Sequence, residues 1–353
     1  MKVSMKLIFL FLTITAITFQ AKADSTVYVP LGSGDKVLVI DGLNDKTIRK
    51  IDGTPDVHGL AVTPDGKFLV AGSYAEAPAS QEKAPKQPKG MSKTNHQAHH
   101  TEPLGGNKQK SDGISYLSVI RTKDGSIVRR IAVPGAVHHV AVTKDGKHAV
   151  VTLPNNDSVS VIDLQKYKVI KTIKTGKMPN YAVPNPYGSF VYVSNAGEDT
   201  LSVIDTHTWK ILRQIKVGKR PEHMAIRHNG SHLFVNNIGD GSVSVIALLP
   251  GIVINTFKIG GKLHGIDLSS DGQTLFVSAR EKQKLFAINW KTAQMQSVPL
   301  APSPYHVTAI PGTEKLYVSS AEESKLWVID QTSLKKIREI KVTGQGHQMV
   351  VVR

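Results

Sequence analysis

The sequence has no cysteine in 353 residues, and aromatic residues make up only 6% of it. The absence of cysteine excludes disulfides, thiolate metal sites, c-type haem attachment, lipid attachment through an N-terminal cysteine and cysteine nucleophiles. Few aromatics and no basic helix argue against a nucleic-acid partner, because single strands are bound by basic grooves with stacking aromatics. Stability must therefore come from a packed core.

Long apolar runs are also scarce, and the most extended one lies near the N-terminus. Two lysines precede an apolar stretch at 7–19, and Ala21-Lys22-Ala23 has the small-x-small pattern of a cleavage site. A run of this length is too short to span a bilayer comfortably. We predict a signal peptide at 1–23, a periplasmic or secreted mature chain at 24–353, and no later transmembrane segment. The alternative is an uncleaved anchor.

Basic residues outnumber acidic ones by 44 to 28, for a net charge of +16. Removal of the predicted signal peptide lowers this by three, to +13. Such a positive field favours an acidic periplasmic protein, an anionic ligand or an anionic envelope surface as partner. The alternative is a solvated basic surface without a partner. We expect a monomer.

A repeat of about 42 residues organises the rest of the chain. Each unit contains an apolar run such as Leu60-Ala61-Val62, a turn such as Pro64-Asp65-Gly66, and three further β-type segments with alternating apolar residues. Four strands in about 42 residues is the size of one propeller blade. The residues that begin the units are His58, His138, Asn180, Glu222, His264, Tyr305 and His347.

The two ends of the chain complement one another. The last unit supplies one strand, at 347–352, and the N-terminal segments 26–30, 36–40 and 47–51 supply the other three. Joining them removes the free sheet edge that would otherwise need protection. We predict an all-β, single-domain, seven-bladed β-propeller of four-stranded blades, with the last blade closed by N- and C-terminal strands. A linear solenoid would instead need capping repeats.

The repeat resembles a known family. Val191-Tyr192-Val193-Ser194-Asn195 resembles the motif that names the YVTN β-propeller repeats, and Phe234-Val235-Asn236-Asn237 is a variant of it. Val203-Ile204-Asp205-Thr206 is similar to the family's third strand. The resemblance implies an exported, YncE-like propeller. It also implies kinship with the haem-binding propeller of nitrite reductases, surface-layer proteins and, more distantly, lactonases and streptogramin lyases, and it leaves the function open.

Histidines concentrate at the first two positions of each innermost strand. Seven of these fourteen positions are histidine, whereas 14 histidines in 353 residues would place fewer than one there. In a propeller these positions form a ring around one mouth of the central channel, and imidazole binds Zn, Cu, Ni, Fe and haem iron. The predicted metal ligands are His58, His138, His139, His223, His264, His306 and His347.

Alternation along a strand divides this ring into two candidate sets, because adjacent side chains point to opposite sides. The second-position set is His139, His223 and His306. The favoured first-position set is His58, His138, His264 and His347, where Glu222 and Tyr305 are further cofactor-binding candidates and Asn180 is polar. The alternative is structural, with each ring bonded to a neighbouring blade.

The interval between the first two units exceeds the repeat by 38 residues, which predicts an insertion at about 74–113 on the histidine face. It is rich in proline, lysine, glutamine and glycine, which predicts flexibility. Its Met91, His96, His99 and His100 suggest metal capture, notably of copper. The alternative is a solvated insertion with incidental histidines.

Three functions remain open. The first is a binding protein that holds a transition metal (Cu, Zn or Fe) or a haem-type cofactor at the histidine-lined mouth. The second is a metal-dependent lactonase- or lyase-like enzyme, in which Glu222 or Asp267 could pair with a histidine as acid and base. The third is a protein-interaction scaffold without metal. Catalytic residues stay unassigned, and we expect the opposite face to be bland.

Overall fold

A computed structural model describes residues 25–78 and 112–353. The predicted signal peptide and residues 79–111 of the predicted insertion, including Met91, His96, His99 and His100, lie outside these residues. In the described part of the chain, 28 strands form seven four-stranded antiparallel sheets, and the other regular elements are two 3-10 turns, Gly32–Gly34 and Pro154–Asn156. The predicted all-β, seven-bladed propeller is confirmed. No helix within these two ranges is long and apolar enough to cross a membrane.

The strands of the first blades follow the chain from the innermost strand outward, after three strands that belong to the closing blade. In chain order these strands are β1 (Thr26–Leu31), β2 (Lys36–Asp41), β3 (Lys46–Asp52), β4 (Val57–Val62), β5 (Phe68–Ser73), β6 (Ile114–Arg121), β7 (Ile127–Pro134), β8 (Val140–Val142), β9 (His148–Leu153), β10 (Ser158–Asp163), β11 (Lys168–Lys174), β12 (Pro179–Pro184), β13 (Phe190–Asn195), β14 (Thr200–Asp205) and β15 (Lys210–Lys216).

The remaining strands repeat the same order and end with the strand that closes the ring. They are β16 (Pro221–Ile226), β17 (His232–Asn237), β18 (Ser242–Ala247), β19 (Ile252–Lys258), β20 (Leu263–Leu268), β21 (Thr274–Ala279), β22 (Lys284–Asn289), β23 (Met295–Pro299), β24 (Pro304–Ile310), β25 (Lys315–Ser320), β26 (Lys325–Asp330), β27 (Lys336–Lys341) and β28 (Val350–Val352).

Ring closure joins the two ends of the chain as the sequence predicted. The closing sheet has the order β28-β1-β2-β3, and β28 pairs antiparallel with β1 from Tyr28 opposite Val350 to Thr26 opposite Val352. The backbone N–H of His347 also donates to the carbonyl of Pro30 at 2.9 Å. The innermost strand of this blade therefore comes from the C-terminal segment.

The hydrophobic core lies between neighbouring blades, because each sheet is apolar on both faces. On β13, Val191 and Val193 pack against the preceding blade, whereas Tyr192 packs against the following blade beside Met224 and Leu233. Period-2 alternation sends successive side chains to opposite faces, so one strand contributes to two such layers. Burial of apolar surface, at about 25 cal/mol per Å², holds each blade to both neighbours and fixes the seven innermost strands around one channel.

Candidate metal centre

A register shift occurs at the start of the innermost strands, at the level of the histidines. It lies between Val57 and Gly59, Pro179 and Ala182, Pro221 and Met224, Leu263 and Ile266, and Pro304 and Val307. Such an irregularity takes backbone groups out of the ladder and re-aims side chains. In these five strands the side chains at the first two positions therefore need not alternate strictly between opposite sides.

In four blades a hydroxyl group of the second strand, from Thr152, Ser194, Ser278 or Ser319, satisfies a displaced backbone N–H. Ser194 Oγ accepts the N–H of Tyr181 at 3.1 Å and donates to the carbonyl of Glu222 in the next blade at 2.8 Å. Ser278 likewise accepts from Gly265 and donates to the carbonyl of Tyr305. The serine of the Val-Tyr-Val-Ser-Asn motif therefore links adjacent blades at the ring.

Seven histidines and two tyrosines form a continuous aromatic ring at this end of the channel. Every histidine of the ring is at most 6% exposed. Ring centroids lie 4.4 Å apart for His58 and both His138 and His347, and 4.2 Å apart for His223 and His264. The structure therefore places all seven predicted ring histidines together. The ring histidines are His58, His138, His139, His223, His264, His306 and His347.

One arc of the ring brings three ligand atoms together. A nitrogen from each of His223, His264 and His306 lies within 4.8 Å of the other two, which makes this the one such group of three in residues 25–78 and 112–353. The Nε2 atoms of His264 and His306 are 3.4 Å apart. Tetrahedral zinc with Zn–N bonds of about 2.0–2.1 Å separates neighbouring ligand nitrogens by about 3.4 Å. The spacing of this pair suits a shared ion.

The division of the ring into two separate sets is wrong for these three residues. His264 belongs to the first-position set, whereas His223 and His306 belong to the second. The physical reason is the register shift at the start of β16, β20 and β24, which breaks the strict alternation on which the division rested. His58, His138 and His347, from the favoured set, lie elsewhere on the ring and do not join this group.

His58 and His138 are tied to neighbouring blades. The Nδ1–H of His58 donates to the carbonyl of His138 at 2.8 Å, and the Nδ1–H of His138 donates to the carbonyl of Asn180 at 2.9 Å. Because a carbonyl can only accept, each ring carries its proton on Nδ1 and its lone pair on Nε2. This is the blade-to-blade bonding of the structural alternative, and it is also the second-shell pattern of metal-binding histidines.

His139 has both ring nitrogens committed to protein groups. Its Nδ1 accepts the N–H of Ala182 at 3.3 Å, and its Nε2 contacts Oε1 of Gln348 at 3.1 Å. Burial, followed by the neighbouring His223, lowers the pKa of His139 to about 3, and the bond to Gln348 opposes this. The geometry gives His139 a structural place in the ring, stacked 3.6 Å from Tyr181 between centroids.

His223 has the properties of a ligand rather than of a bonded core residue. Burial lowers the pKa of His223 to about 3, so the imidazole is neutral at pH 7. Its Nδ1 is buried and has no hydrogen-bond partner among the described residues. Metal ions bind the neutral imidazole, so no proton has to be displaced from this ring near neutral pH.

Glu222 and Tyr305, the other two predicted cofactor-binding residues, border this group of three. Glu222 is 4% exposed and pairs with Arg220 at 3.3 Å between Oε1 and Nε. Burial raises the pKa of Glu222 to about 7, and Arg220 opposes the rise. Tyr305 stacks on His264 with centroids 3.9 Å apart, and the Arg280 guanidinium lies 5.1 Å from the Tyr305 ring centre.

Sequence reasoning missed four partners of the ring: Tyr181, Arg220, Arg280 and Gln348. Tyr181 and Gln348 occupy the second position of their strands, so the repeat alignment carried the signal for them. The aromatic ring of Tyr181 fills the gap between His139 and His223, at 3.6 and 4.9 Å between centroids. The two arginines lie outside the aligned positions, and the alignment held no signal for them.

The fold and this ring define a class: a seven-bladed β-propeller whose channel is closed at one end by buried imidazoles. The family described as YncE-like beta-propeller matches residues 12–185. This match confirms the resemblance to YncE-like propellers inferred from the repeat motif. It is 26% identical over 191 residues to the uncharacterised protein YncE of Salmonella typhi, covering 49% of this chain. The matched region spans about half, 51%, of that relative's length.

Solved structures show the same fold at low sequence identity. The periplasmic gluconolactonase PpgL of Pseudomonas aeruginosa superposes with a TM-score of 0.71 at 16% identity, covering 93% of this chain and 99% of that one. The dihydro-heme d1 dehydrogenase NirN, in complex with DHE, gives 0.64 at 12% identity, covering 90% and 64%. Likenesses this distant establish the propeller and leave the activity to the site.

Proposed function

We propose that this protein is an exported β-propeller binding protein that holds one transition-metal ion at His223, His264 and His306. The observation that carries the proposal is the convergence of three buried imidazole nitrogens within 4.8 Å. Imidazole suits Zn, Cu, Ni and Fe, and no thiolate competes in a chain without cysteine. The purely structural alternative for the same residues is an N–H···N bond between His264 and His306.

The charged groups of the arc are one carboxylate and two guanidinium groups. A buried ion is costly unless opposite charge lies near it. Glu222 directly precedes His223 and is the carboxylate of this arc, and Arg220 and Arg280 are its neighbouring cations. The three imidazoles themselves are neutral ligands and add no charge. Arg220 and Arg280 offset the charge of Glu222, so the proposal rests on the three imidazole nitrogens and not on the charge of the arc.

A metal-dependent enzyme is the second candidate. Three histidine ligands with a fourth position for water or substrate are typical of catalytic zinc sites, whereas structural sites use four protein ligands. The likeness to a periplasmic gluconolactonase is a likeness of fold, so the three-histidine set is the observation that favours this candidate. Lactone hydrolysis by the metal-loaded protein, absent from the metal-free protein, tests it directly.

Export is part of the proposal. Residues 1–23 have the pattern of a signal peptide, and the fold is shared with a protein described as periplasmic. Mass measurement of the mature chain recovered from the periplasm checks both the compartment and the cleavage site after Ala23. A chain that keeps residues 1–23 and stays with the membrane fraction would contradict this part.

Metal binding is tested by equilibrium dialysis of the mature protein with Zn²⁺, and by the absorption spectrum of the Co²⁺ form, which reports four-coordinate geometry. We expect one ion per chain and at least 100-fold weaker binding in His306→Ala. His207→Ala is the matched control, because His207 is exposed and outside the ring. Undiminished binding in His306→Ala, or no binding at micromolar Zn²⁺, would contradict the proposal.

The insertion histidines need their own variant. In His96→Ala/His99→Ala/His100→Ala, with the ring intact, we expect the single high-affinity ion to remain. Loss of that ion in this variant would move the site from the ring to the insertion. If the triple variant keeps the ion and His306→Ala loses it, the metal site is in the ring.

A further inference from the structure

The other end of the channel holds a cavity of about 440 Å³. All seven innermost strands line it, three from their second position and four from their third position onward, together with residues that follow them such as His228, Ser270 and Pro311. It therefore opens on the face opposite the histidine ring, so the expectation that this face is bland does not hold. The volume falls in the range of small-molecule sites.

The cavity exists because one level of the innermost strands carries small side chains. Three of the seven residues at this fourth position are alanine and two are valine. Asp267 departs from the pattern, and it is the one aspartate or glutamate among the described residues that line the cavity. The residues at this level are Ala61, Ala141, Val183, Ala225, Asp267, Thr308 and Val350.

The carboxylate of Asp267 is fixed by two backbone groups. Its Oδ1 accepts the N–H of Leu268 at 2.8 Å, and its Oδ2 accepts the N–H of Ala309 in the next blade at 2.9 Å. Each carboxylate oxygen can accept a second hydrogen bond. Within residues 25–78 and 112–353, no lysine, arginine or histidine forms a salt bridge with Asp267.

Tyr181 provides a second polar group on the floor of the same cavity. Its side chain is 5% exposed, and its hydroxyl makes no hydrogen bond to any described residue. The hydroxyl lies within electrostatic reach of the Asp267 carboxylate. A phenol is protonated at neutral pH, so this hydroxyl can donate to or accept from a ligand.

We propose that this cavity is a second ligand site, independent of the metal, and that it binds a small organic cation: an ammonium group on an apolar body. The ammonium pairs with Asp267 and hydrogen bonds to Tyr181, and the apolar part lies against aliphatic walls that include Met224 and Ile266. A carboxylate in an apolar surround gains most from a partner that brings positive charge and its own hydrocarbon. A hard metal ion would need more oxygen ligands than one carboxylate offers.

The rim carries His228 and Arg353, so an anionic ligand is the competitor that the test must exclude. Calorimetric titration with benzylammonium, neutral benzyl alcohol and benzoate compares three charges on nearly the same body. We expect benzylammonium to bind at least 10-fold more tightly than benzyl alcohol and benzoate to bind weakest. Tighter binding of benzoate, or equal binding of all three, would overturn the proposal.

Two variants locate the binding. Asp267→Asn keeps the shape and should weaken benzylammonium at least 10-fold, and Tyr181→Phe, which removes only the hydroxyl, should weaken it about 3-fold. Thermal unfolding shows whether each variant is folded. If Asp267→Asn does not fold, the result for Tyr181→Phe decides the test. His306→Ala should bind benzylammonium as the wild type does, which separates failure here from failure of the metal proposal. Unchanged binding in both Asp267→Asn and Tyr181→Phe would place the amine elsewhere.

Discussion

The two ends of the central channel are built from the same seven strands and differ in almost every property. At the first two strand positions, buried imidazoles contact one another and close the channel. From the third position onward, small and aliphatic side chains leave a cavity of about 440 Å³. The repeat thus fixes where the innermost strands lie. The side chains at each level then determine whether the channel is closed there, stays open or can bind a ligand.

The backbone explains why polar groups are tolerated at one level and not at the next. At the histidine level the ladder is interrupted, and its displaced N–H and C=O groups bond to hydroxyls such as Ser194 and Thr152. Polar side chains there join an existing hydrogen-bond network. Further along the strands the ladder is regular, and no such hydroxyl network is present among the described residues to bond a polar side chain. Asp267 instead accepts hydrogen bonds from two backbone N–H groups, those of Leu268 and Ala309.

The largest expected effect concerns which arc of the ring binds metal. His264→Asn should weaken Zn²⁺ binding at least 100-fold, because it removes one of three converging ligands. His58→Asn should change it less than 3-fold, because His58 lies outside that group and bonds to the next blade. Competition with a chromophoric chelator measures both affinities. Equal losses in the two variants would show that the whole ring acts as one site and would remove the distinction between its arcs.

Each end of the channel also holds one carboxylate whose pKa is raised by desolvation, to about 7 for Glu222 and to about 6 for Asp267. A carboxyl with a raised folded-state pKa binds its proton more tightly when folded. Its contribution to stability therefore grows as pH falls through the raised pKa and is complete below the unfolded pKa. Relative to Glu222→Gln, the metal-free wild type should gain about 2 kcal/mol between pH 7 and pH 5.

Asp267→Asn should show the same sign over a window about one pH unit lower, between pH 6 and pH 4, with a similar gain of about 2 kcal/mol. Urea unfolding at each pH gives the free energies. The lowered pKa values of His139 and His223 act in the opposite direction, but they are common to all variants and cancel in the difference. Glu198→Gln, at an exposed position, is the control and should show no pH-dependent difference. Parallel curves for all variants would contradict the assignment of the carboxylates.

Much of the fold could be predicted from the sequence, because blade size and ring closure follow from spacing alone. The strand predicted at 36–40 is observed as Lys36–Asp41 and that at 47–51 as Lys46–Asp52. The last strand was predicted from 347 but begins at Val350. The difference arises because His347 and Gln348 precede the regular ladder, as His138 and His139 do before β8.

The histidine ring could be predicted as a set of positions, and its internal grouping could not. The register shift and the position of the first residues in each blade determine which imidazoles converge. Neither feature changes the period of the repeat, so the sequence pattern does not reveal them. The cavity was missed for a related reason. Small residues at the fourth position look like ordinary packing in each single strand, and only seven of them around one axis leave a void.

The smallest expected effect tests whether the hydroxyl network sets the histidine end apart. Ser278→Ala removes the bridge from Gly265 to the carbonyl of Tyr305, which should cost about 1–2 kcal/mol of stability because it leaves buried backbone groups unsatisfied. Zn²⁺ affinity should fall several-fold, since the bridge joins the strands that carry His264 and His306, whereas benzylammonium binding at the other end should not change. Ser297→Ala, on the exposed outer strand β23, is the matched control for urea unfolding and for both titrations. If Ser278→Ala weakens the binding of Zn²⁺ and of benzylammonium equally, the two ends of the channel are mechanically coupled. The two ends would then differ in their residues but would not function independently.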